Sequence, residues 1–253
     1  MDELNQAQVA AQLAGLYSQV TVVESCPSTN AALLADPGAA HGTALITDDQ
    51  TAGHGRMGRA WSAPRGTQLS LSVCYRPPTS CVDRLGLLPL AAGVAITDVL
   101  DGAQLKWPND VYMQGRKVCG ILAEAADLAT NPRVILGLGI NVTMTRAQLP
   151  VPTATSLLLE GVDTTVAALA VPVLRALAHR YAQWESGSAE FMSAYRRRSC
   201  TVGNTVRVER PTETIVGVAT GIGPTGELEV TQGTRTRSFS AGDVTHLRPA
   251  GPA

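Results

Sequence analysis

Residues 53–59, Gly-His-Gly-Arg-Met-Gly-Arg, limit the folds open to this chain more than any other segment. Their glycines have the spacing of a dinucleotide-binding fingerprint, which requires a helix to begin at the glycines so that its N-terminus meets the pyrophosphate. Pro64 and Gly66 follow too soon for such a helix. The sequence therefore predicts a glycine-rich loop in which Arg56, Arg59 and the backbone N–H groups can enclose an anion.

The remaining patterns predict an α+β fold with two domains. Residues 1–200 mix helical and strand periodicities, and an apolar content of 45% is enough for a large core. Over residues 201–253, short strand-like segments are separated by prolines and glycines, which predicts a small all-β barrel. Helices are predicted over Asn5–Tyr17, over Val82–Leu100 and over residues 165–198 with a break near Gly187.

Charge and cysteine content exclude several classes of protein. The balance of 20 basic and 21 acidic residues shows no basic excess, so no nucleic-acid partner is expected. Five cysteines without a C-x-x-C pair predict reduced thiols, which fits a cytoplasmic location. The apolar runs are interrupted, and the N-terminus does not resemble a signal peptide, so no membrane span is expected. The histidines lack metal-ligand spacing, and no metal held by the protein itself is predicted.

Two polar motifs near the N-terminus have both a structural and a functional interpretation. Ser28-Thr29-Asn30 precedes an alanine–leucine run and is typical of a helix N-cap, but the same groups could bind a polar uncharged ligand at the helix end. Gln50 is either an exposed loop residue or a hydrogen-bond donor and acceptor at the edge of a ligand. Taken alone, each motif favours the structural interpretation.

The string Lys106-Trp107-Pro108-Asn109-Asp110 predicts the start of a β-hairpin. Its turn is expected at Gln114-Gly115, and its return strand is expected to run from Lys117 to Glu124. Gly120 would let a ligand approach the backbone of that strand closely. A lysine on a strand usually faces solvent, yet Lys117 beside an arginine-bearing loop suits charge stabilisation at a phosphoryl centre.

Three further features keep more than one interpretation. Trp61 is interpreted either as a core residue or as an apolar lid over a flat ligand ring. Asn141, at the end of a predicted strand, is either a turn residue or an amide that contacts a phosphate. The loop over residues 142–156 is long enough to be functional or disordered.

In their order along the chain, these motifs resemble those of the biotin protein ligase family, also called biotin–[acetyl-CoA carboxylase] ligases. The resemblance covers nearly the whole chain, and the ordered set is specific although each motif alone is weak. The matching segments are Ser28-Thr29-Asn30, Gln50, residues 53–59, residues 106–110, Lys117-x-x-Gly120-Ile121-Leu122-x-Glu124 and Gly137-x-Gly139-Ile140-Asn141. The resemblance implies a mixed-sheet catalytic domain of the biotin/lipoate ligase type over residues 1–200 and an SH3-like barrel over residues 201–253.

The resemblance also implies a reaction in two steps. The biotin carboxylate attacks the α-phosphate of ATP to give biotinyl-5′-AMP and pyrophosphate, and a lysine of a biotin carboxyl carrier protein then takes the biotinyl group. Mg²⁺ is expected to arrive with ATP. Because a carboxylate is already ionised at pH 7, the main obstacle is charge repulsion, and the site needs cations and positioning more than a base.

Site roles follow from the same resemblance. The catalytic residues are Lys117, which is expected to bridge the biotin carboxylate and the α-phosphate, Arg56, and Asp110, which would orient the acceptor amine or accept its proton. The biotin-binding residues are Ser28, Thr29, Asn30, Gln50, Gly53, His54, Gly55, Arg56, Lys117 and Gly120. The ATP-binding residues are Arg56, Arg59, Trp61, Asn109, Lys117 and Asn141.

Two departures from the family pattern have consequences. His54 stands where the family's loop usually has an arginine, and its shorter side chain without a fork predicts weaker retention of the adenylate. Fewer than thirty residues precede Ser28, which predicts no winged helix-turn-helix domain and no DNA binding.

The expected partners are a biotin carboxyl carrier domain, biotin and ATP, with no nucleic acid and no membrane, and the chain is expected to be a monomer or a weak homodimer. Two alternatives stay open: a lipoate protein ligase, and a catalytically weak biotin-binding protein.

Overall fold

The computed structural model describes residues 4–210, 213–240 and 242–247, and its larger part is built on a seven-stranded mixed sheet. The strands are β1 (Gln19–Val22), β2 (Thr43–Thr47), β3 (Gln68–Tyr75), β4 (Gln104–Lys106), β5 (Asp110–Met113), β6 (Arg116–Ala126) and β7 (Arg133–Asn141). Their order across the sheet is β1-β2-β3-β7-β6-β5-β4. Strands β1 and β2 are parallel, and all other neighbours are antiparallel.

In the described part of the chain five α-helices flank this sheet, and two of the predicted helices need correction. The helices are α1 (Gln6–Gln12), α2 (Thr29–Ala35), α3 (Leu88–Val99), α4 (Val166–Glu185) and α5 (Glu190–Arg198). The first ends five residues before the predicted Tyr17, because the chain turns through Gly15 at φ 82°. The helix predicted over Val82–Leu100 is a 3-10 segment, Thr79–Leu87, followed by α3; Pro89 lacks an N–H and is tolerated only in the first turn of an α-helix. The predicted break near Gly187 is confirmed.

The alternation of side chains along β3 and β7 gives the sheet two different faces. On β7, Val134, Leu136, Leu138 and Ile140 belong to the main core with α3 and α4. On the opposite face, Ile135 packs with Leu33 of α2 in a small second cluster. Gly137, Gly139 and Asn141 continue that second face. Beyond the part that α2 covers, this face therefore carries small and polar residues in place of a second apolar layer.

The segment Thr79–Val99 is long and apolar enough to meet a length-and-hydropathy criterion for a membrane span. Most of α3 is buried, and its side chains belong to the same core cluster as those of β7 and α4. Packing inside the fold thus accounts for its composition.

The C-terminal part is a five-stranded antiparallel sheet in the order β11-β10-β9-β8-β12. Its strands are β8 (Thr205–Arg210), β9 (Glu213–Ile222), β10 (Leu228–Gln232), β11 (Arg235–Phe239) and β12 (Asp243–His246). The buried residues of this sheet, such as Val208 and Phe239, belong to the same core cluster as α3 and α4. The expected small all-β C-terminal part is therefore present and packs directly on the larger one.

Candidate active site

A cavity of about 520 Å³ opens on the face of the large sheet that carries α2. Its lining contains every site residue predicted from the sequence except Gly53: Ser28, Thr29, Asn30, Gln50, His54, Gly55, Arg56, Arg59, Trp61, Asn109, Asp110, Lys117, Gly120 and Asn141. Gly53 instead closes the base of the loop, where its carbonyl accepts the Trp61 N–H at 2.9 Å. The structure thus brings residues from widely separated motifs into one site.

Glycines on the strands make room for this cavity. Gly120 and Gly139 are directly opposed on β6 and β7, and the Trp61 ring lies over both. A Cβ on residue 139 would lie 2.4 Å from Trp61 Nε1, and a Cβ on Gly137 would lie 2.0 Å from Asn30 Oδ1. Any side chain at these positions would displace Trp61 or Asn30, so the bare backbone fixes the location of both cavity walls.

The N-terminus of α2 carries a buried polar network. Ser28 caps the helix, as predicted, because its Oγ accepts the N–H three residues further on at 3.3 Å. Gln50 Oε1 accepts the Thr29 N–H at 2.8 Å, and Asn30 Nδ2 donates to Glu124 Oε2 at 2.8 Å. The three residues at the helix start are at most 4% exposed. Capping and ligand binding are thus compatible, since the same groups end at the cavity wall.

Ser72 and Glu124, to which the sequence motifs assign no site role, are two further members of this network. Ser72 Oγ lies 2.5 Å from Asn30 Oδ1 and 2.7 Å from Thr29 Oγ1. Glu124 lies on β6, at the position paired with Ile135 of β7. Both residues occupy the α2-facing side of their strands, and the period of two along each strand is the signal that could have identified them. The network offers both donors and acceptors to a neutral polar ligand group.

Residues 53–61 form a narrow loop along one side of the cavity. The Gly55 N–H donates to the Arg59 carbonyl at 2.7 Å, and Met57 at the tip is left-handed, with φ 58°. Arg56 Nη1 donates to Asn109 Oδ1 at 3.0 Å, and Arg59 forms an ion pair with Asp243 of the C-terminal sheet. Each loop arginine is therefore held by a residue from a different part of the fold.

A β-bulge places Lys117 on the cavity side of β6. Val111 and Tyr112 are consecutive on β5, but their partners on β6 are Cys119 and Lys117. The extra residue, Val118, is fully buried. A bulge of this kind reverses the alternation of side chains beyond it, so Lys117 and the cavity-facing Gly120 can share a face although they are three residues apart.

The Lys117 side chain and backbone are both fixed. Its Nζ lies 2.6 Å from Asp110 Oδ1 and 5.3 Å from the centre of a Trp61 ring. The approach to Asp110 lacks hydrogen-bond directionality, so the contact is an ion pair only. The Lys117 N–H donates to Thr153 O at 2.9 Å, and its carbonyl accepts the Thr155 N–H at 2.8 Å. The backbone N–H and carbonyl of Lys117 are therefore both hydrogen-bonded, which fixes the backbone from which the ammonium extends.

The segment of residues 142–156 is predicted from its sequence to be either functional or disordered. In the structure it has a defined conformation and packs beside the site. Asn141, predicted to contact the nucleotide, donates its amide to the Thr155 carbonyl at 2.8 Å and is 5% exposed. Glu160 accepts a hydrogen bond from Arg116 at 2.7 Å and another from the Thr155 hydroxyl. Although burial raises the pKa of Glu160, these bonds and the charge of Arg116 bring that pKa below its ordinary value.

Taken together, the cavity has three regions with different chemistry. A polar network that includes the Glu124 carboxylate lies at the α2 end, Lys117 with Asp110 lies on the floor, and Arg56 and Arg59 lie on the loop. The rim also includes residues of the C-terminal sheet that belong to none of the sequence motifs: Glu209, Asp243, Val244 and Thr245. In the described part of the chain, no group of three or more His, Cys, Asp or Glu residues could hold a metal ion. The arrangement suits the reaction of a polar-headed acid with a polyphosphate.

Sequence comparison connects this site to a family. Residues 22–141 match the biotin/lipoate A/B protein ligase family, and residues 201–247 match the biotin protein ligase C-terminal domain. The chain is 42% identical to the biotin–[acetyl-CoA-carboxylase] ligase of Mycobacterium tuberculosis, over 97% of this chain and 96% of that protein. The chain belongs to the biotin protein ligase family.

Two other relatives agree with this assignment. The bifunctional ligase/repressor BirA of Escherichia coli is 32% identical to this biotin protein ligase, over 98% of this chain and 79% of BirA. The solved structure of the Aquifex aeolicus biotin protein ligase, in complex with biotin and ATP, superposes with a TM-score of 0.79 at 26% identity and covers 92% of this chain. The family, the α+β fold with a small C-terminal β domain and the enzyme class predicted from the sequence are confirmed.

Proposed function

We propose that this biotin protein ligase joins biotin to ATP in the cavity and then transfers the biotinyl group to a lysine of a carboxyl carrier domain. The observation that carries the proposal is the position of Lys117, fixed on the cavity floor between the polar network at α2 and two loop arginines. The Aquifex relative binds biotin and ATP, and the Mycobacterium relative acts on acetyl-CoA carboxylase, as their names state.

In the first step, a carboxylate oxygen of biotin attacks the α-phosphorus of ATP. The bond from that phosphorus to the bridging oxygen breaks, and pyrophosphate leaves with the electron pair. Both reactants are anions, so the barrier contains a large repulsive part that fixed cations reduce. Lys117 would contact the carboxylate and the α-phosphate together, while Arg56 would contact the phosphates from the loop. The ureido ring of biotin would occupy the network of Thr29, Asn30 and Gln50, whose donors and acceptors match its N–H and C=O groups.

In the second step, the acceptor lysine attacks the acyl carbon, and AMP leaves. An amine with an ordinary pKa of about 10.4 is protonated at pH 7 and must lose a proton before or during attack. Asp110 faces the cavity beside Lys117 and would orient that amine or accept its proton. Trp61, whose ring lies over Gly120 and Gly139, would cover the adenine and help to keep water from the mixed anhydride.

Mg²⁺ would arrive bound to the phosphates of ATP. Asp110, the acidic residue on the cavity floor, is already paired with Lys117, which leaves it poorly suited to hold a cation by itself. The ion would add positive charge at the leaving phosphates when bound. All five cysteines are free thiols, which supports a reducing compartment and the proposed cytoplasmic location. The proposal also includes two domains, over residues 1–200 and 201–253. It further includes a monomeric or weakly dimeric state.

The test is biotin-dependent exchange of labelled pyrophosphate into ATP, followed by mass spectrometry of a carrier domain incubated with enzyme, ATP and biotin. The unaltered protein is expected to catalyse exchange with biotin but not with lipoate, and to add one biotinyl group to the carrier. Lys117→Gln is expected to lower the exchange rate by about a thousandfold or more, because a preorganised charge at the reacting centre is lost. Arg235→Gln, on exposed β11, serves as the control for general loss of positive charge.

Exchange at the same rate in Lys117→Gln would contradict the assigned role of Lys117. Absence of exchange in the unaltered protein, together with tight biotin binding, would favour the alternative of a biotin-binding protein without ligase activity.

A further inference from the structure

Lys106 contributes a cation to the cavity wall that has no ion-pair partner among the residues that the structure describes. It ends β4, pairs in register with Asp110 and lines the cavity beside Tyr112. Its Nζ lies 5.3 Å from the centre of the Tyr112 ring. Within the described residues, no carboxylate oxygen lies within 4.0 Å of Nζ. The ammonium is thus half-buried and held by an aromatic face, with its three donors free of any carboxylate.

The other cavity cations differ from Lys106 in this respect. Lys117 is paired with Asp110, and Arg59 is paired with Asp243. Arg56 is hydrogen-bonded to the neutral amide of Asn109. Uncompensated positive charge in the described cavity wall is therefore concentrated at Arg56 and Lys106. Electrostatic attraction of a polyanion is strongest at cations that no carboxylate already neutralises.

The residue type at position 106 is also informative. Of the 20 basic residues, only Lys106 and Lys117 are lysines and the other 18 are arginines, and both lysines line the cavity. A chain that uses arginine at all its other cationic positions keeps a compact ammonium at these two. An ammonium acts as a point charge with rotatable donors, whereas a guanidinium offers a fixed planar fork.

The order of strands places Lys106 on the far side of Lys117 from the polar network. The α2 network contacts β3, β7 and the C-terminal half of β6, Lys117 lies near the start of β6, and Lys106 ends β4 at the edge of the sheet. Adjacent strands are about 4.8 Å apart, so β4 lies roughly 10 Å beyond β6. In an in-line displacement, the attacking oxygen and the leaving oxygen lie on opposite sides of the phosphorus. If the carboxylate comes from the α2 side, the leaving group departs towards β4.

We infer that Lys106 binds the β- and γ-phosphates of ATP and holds them as they leave as pyrophosphate, an inference that rests on the proposed function. Burial lowers the pKa of Lys106; the negative charge of Asp110 offsets this in part, and Lys117 adds to the lowering. Its charged form is thus disfavoured in the free protein, and an arriving anion relieves that cost. Lys106 acts on the leaving group, whereas Lys117 acts at the carboxylate and the α-phosphate.

The first experiment compares Lys106→Met and Lys106→Arg with the unaltered enzyme in biotin-dependent ATP–pyrophosphate exchange. Methionine has similar length without charge, so the KM values for ATP and pyrophosphate are expected to rise about tenfold or more, while the KM for biotin changes less than about twofold. Arginine keeps the charge and should recover part of the loss. Arg235→Met, an exposed cation on β11, is the matched control and should change none of these values.

A second measurement on the same variants uses a non-hydrolysable analogue of biotinyl-5′-AMP, which has no β- or γ-phosphate. Lys106→Met should bind this analogue as tightly as the unaltered enzyme does. An equal loss of affinity for the analogue and for pyrophosphate would show that Lys106 only supports the structure of the site. Unchanged KM values for ATP and pyrophosphate would overturn the inference directly. If the unaltered enzyme shows no exchange at all, the proposed function fails first.

A third measurement needs no variant and therefore does not depend on folding of Lys106→Met. Reductive methylation mapped by mass spectrometry can follow both side-chain amines separately, since the chain has only two lysines. Magnesium pyrophosphate is expected to slow methylation of Lys106 at least threefold more than methylation of Lys117. Equal protection of both lysines, or none at Lys106, contradicts the assignment.

Discussion

His54 occupies the loop position at which the resemblance of the motifs to the family predicts an arginine. Its Nε2 lies 3.6 Å from Glu124 Oε2, and the same carboxylate oxygen accepts the Asn30 amide. Glu124 therefore connects the loop to the start of α2, both of which border the polar end of the cavity. An imidazole reaches this carboxylate but has no planar fork with which to contact a phosphate at the same time.

We predict that His54→Arg slows dissociation of biotinyl-5′-AMP from the enzyme by about three- to tenfold. The guanidinium can contact Glu124 with one N–H pair and the ligand with another, and each charge-assisted bond slows opening of the loop. The measurement is the rate at which bound radiolabelled adenylate dissociates after rapid dilution of the complex. His179→Arg, an exposed position on α4, makes the same substitution away from the cavity and should leave the rate unchanged. Equal rates in His54→Arg and the unaltered enzyme would refute the prediction.

Individual residues also show where sequence reasoning reaches its limit. The positions of Ser28, Gln50 and Lys117 in the site could be predicted, because each belongs to a motif whose order along the chain is specific. The side of β6 on which Lys117 lies could not be predicted, since strict alternation puts it opposite to Gly120. The bulge at Val118 resolves this conflict, and it depends on pairing with β5, which no local pattern encodes.

At the scale of elements, the segment 142–156 forms part of the support for Lys117. It pairs with the start of β6 through Thr153 and Thr155, and Glu160 anchors it by accepting bonds from Thr155 and Arg116. Its lack of periodicity in the sequence reflects this role, because it is held by a few backbone bonds to β6, by side chain-to-backbone bonds and by one buried carboxylate. Such contacts connect distant positions and leave no repeating signature.

We predict that Glu160→Gln lowers the free energy of unfolding at pH 7 by about 1.5–3 kcal/mol, since charge-assisted hydrogen bonds from Arg116 and Thr155 lose their anion. The folded-state pKa of Glu160 is below its ordinary value, so its stabilising contribution is present above the ordinary carboxyl pKa. The contribution is lost as pH falls through the folded-state pKa, and the two proteins should therefore converge in stability at acid pH. Urea denaturation at a series of pH values measures this.

Asp98→Asn provides the matched control for this prediction. Asp98 joins α3 to α4 and α5 through Arg180 and Arg198, and its pKa is also lowered, by hydrogen bonds and charges that outweigh the opposing effect of burial. Loss of the Asp98 carboxylate should reduce stability without affecting exchange activity. Glu160→Gln should reduce both, because the segment 142–156 beside Lys117 is no longer anchored. Full activity in a destabilised Glu160→Gln variant would show that the segment 142–156 does not support the catalytic position of Lys117.

At the scale of the molecule, the junction between the two sheets lies directly behind the reacting groups. Trp107 precedes Pro108-Asn109-Asp110, and its Nε1 donates to the Gly226 carbonyl of the C-terminal part at 2.8 Å. Its backbone N–H donates to the Thr201 hydroxyl at 3.0 Å. Because the buried residues of both parts form one continuous core, we expect a single cooperative unfolding transition.

Trp107→Phe and Trp184→Phe together test whether this junction positions the site. Both indoles are at most 2% exposed, and both donate to a backbone carbonyl, of Gly226 and of Arg84 respectively. Each substitution leaves a buried carbonyl without its donor and should cost about 1–3 kcal/mol of unfolding free energy. Only Trp107→Phe should also raise the KM for ATP, because it loosens the turn that presents Asn109 to Arg56. Denaturant unfolding and ATP–pyrophosphate exchange measure the two effects. An equal change of KM in the two variants would show that the junction has no special connection to catalysis, and two unfolding transitions in the unaltered protein would contradict a single cooperative core.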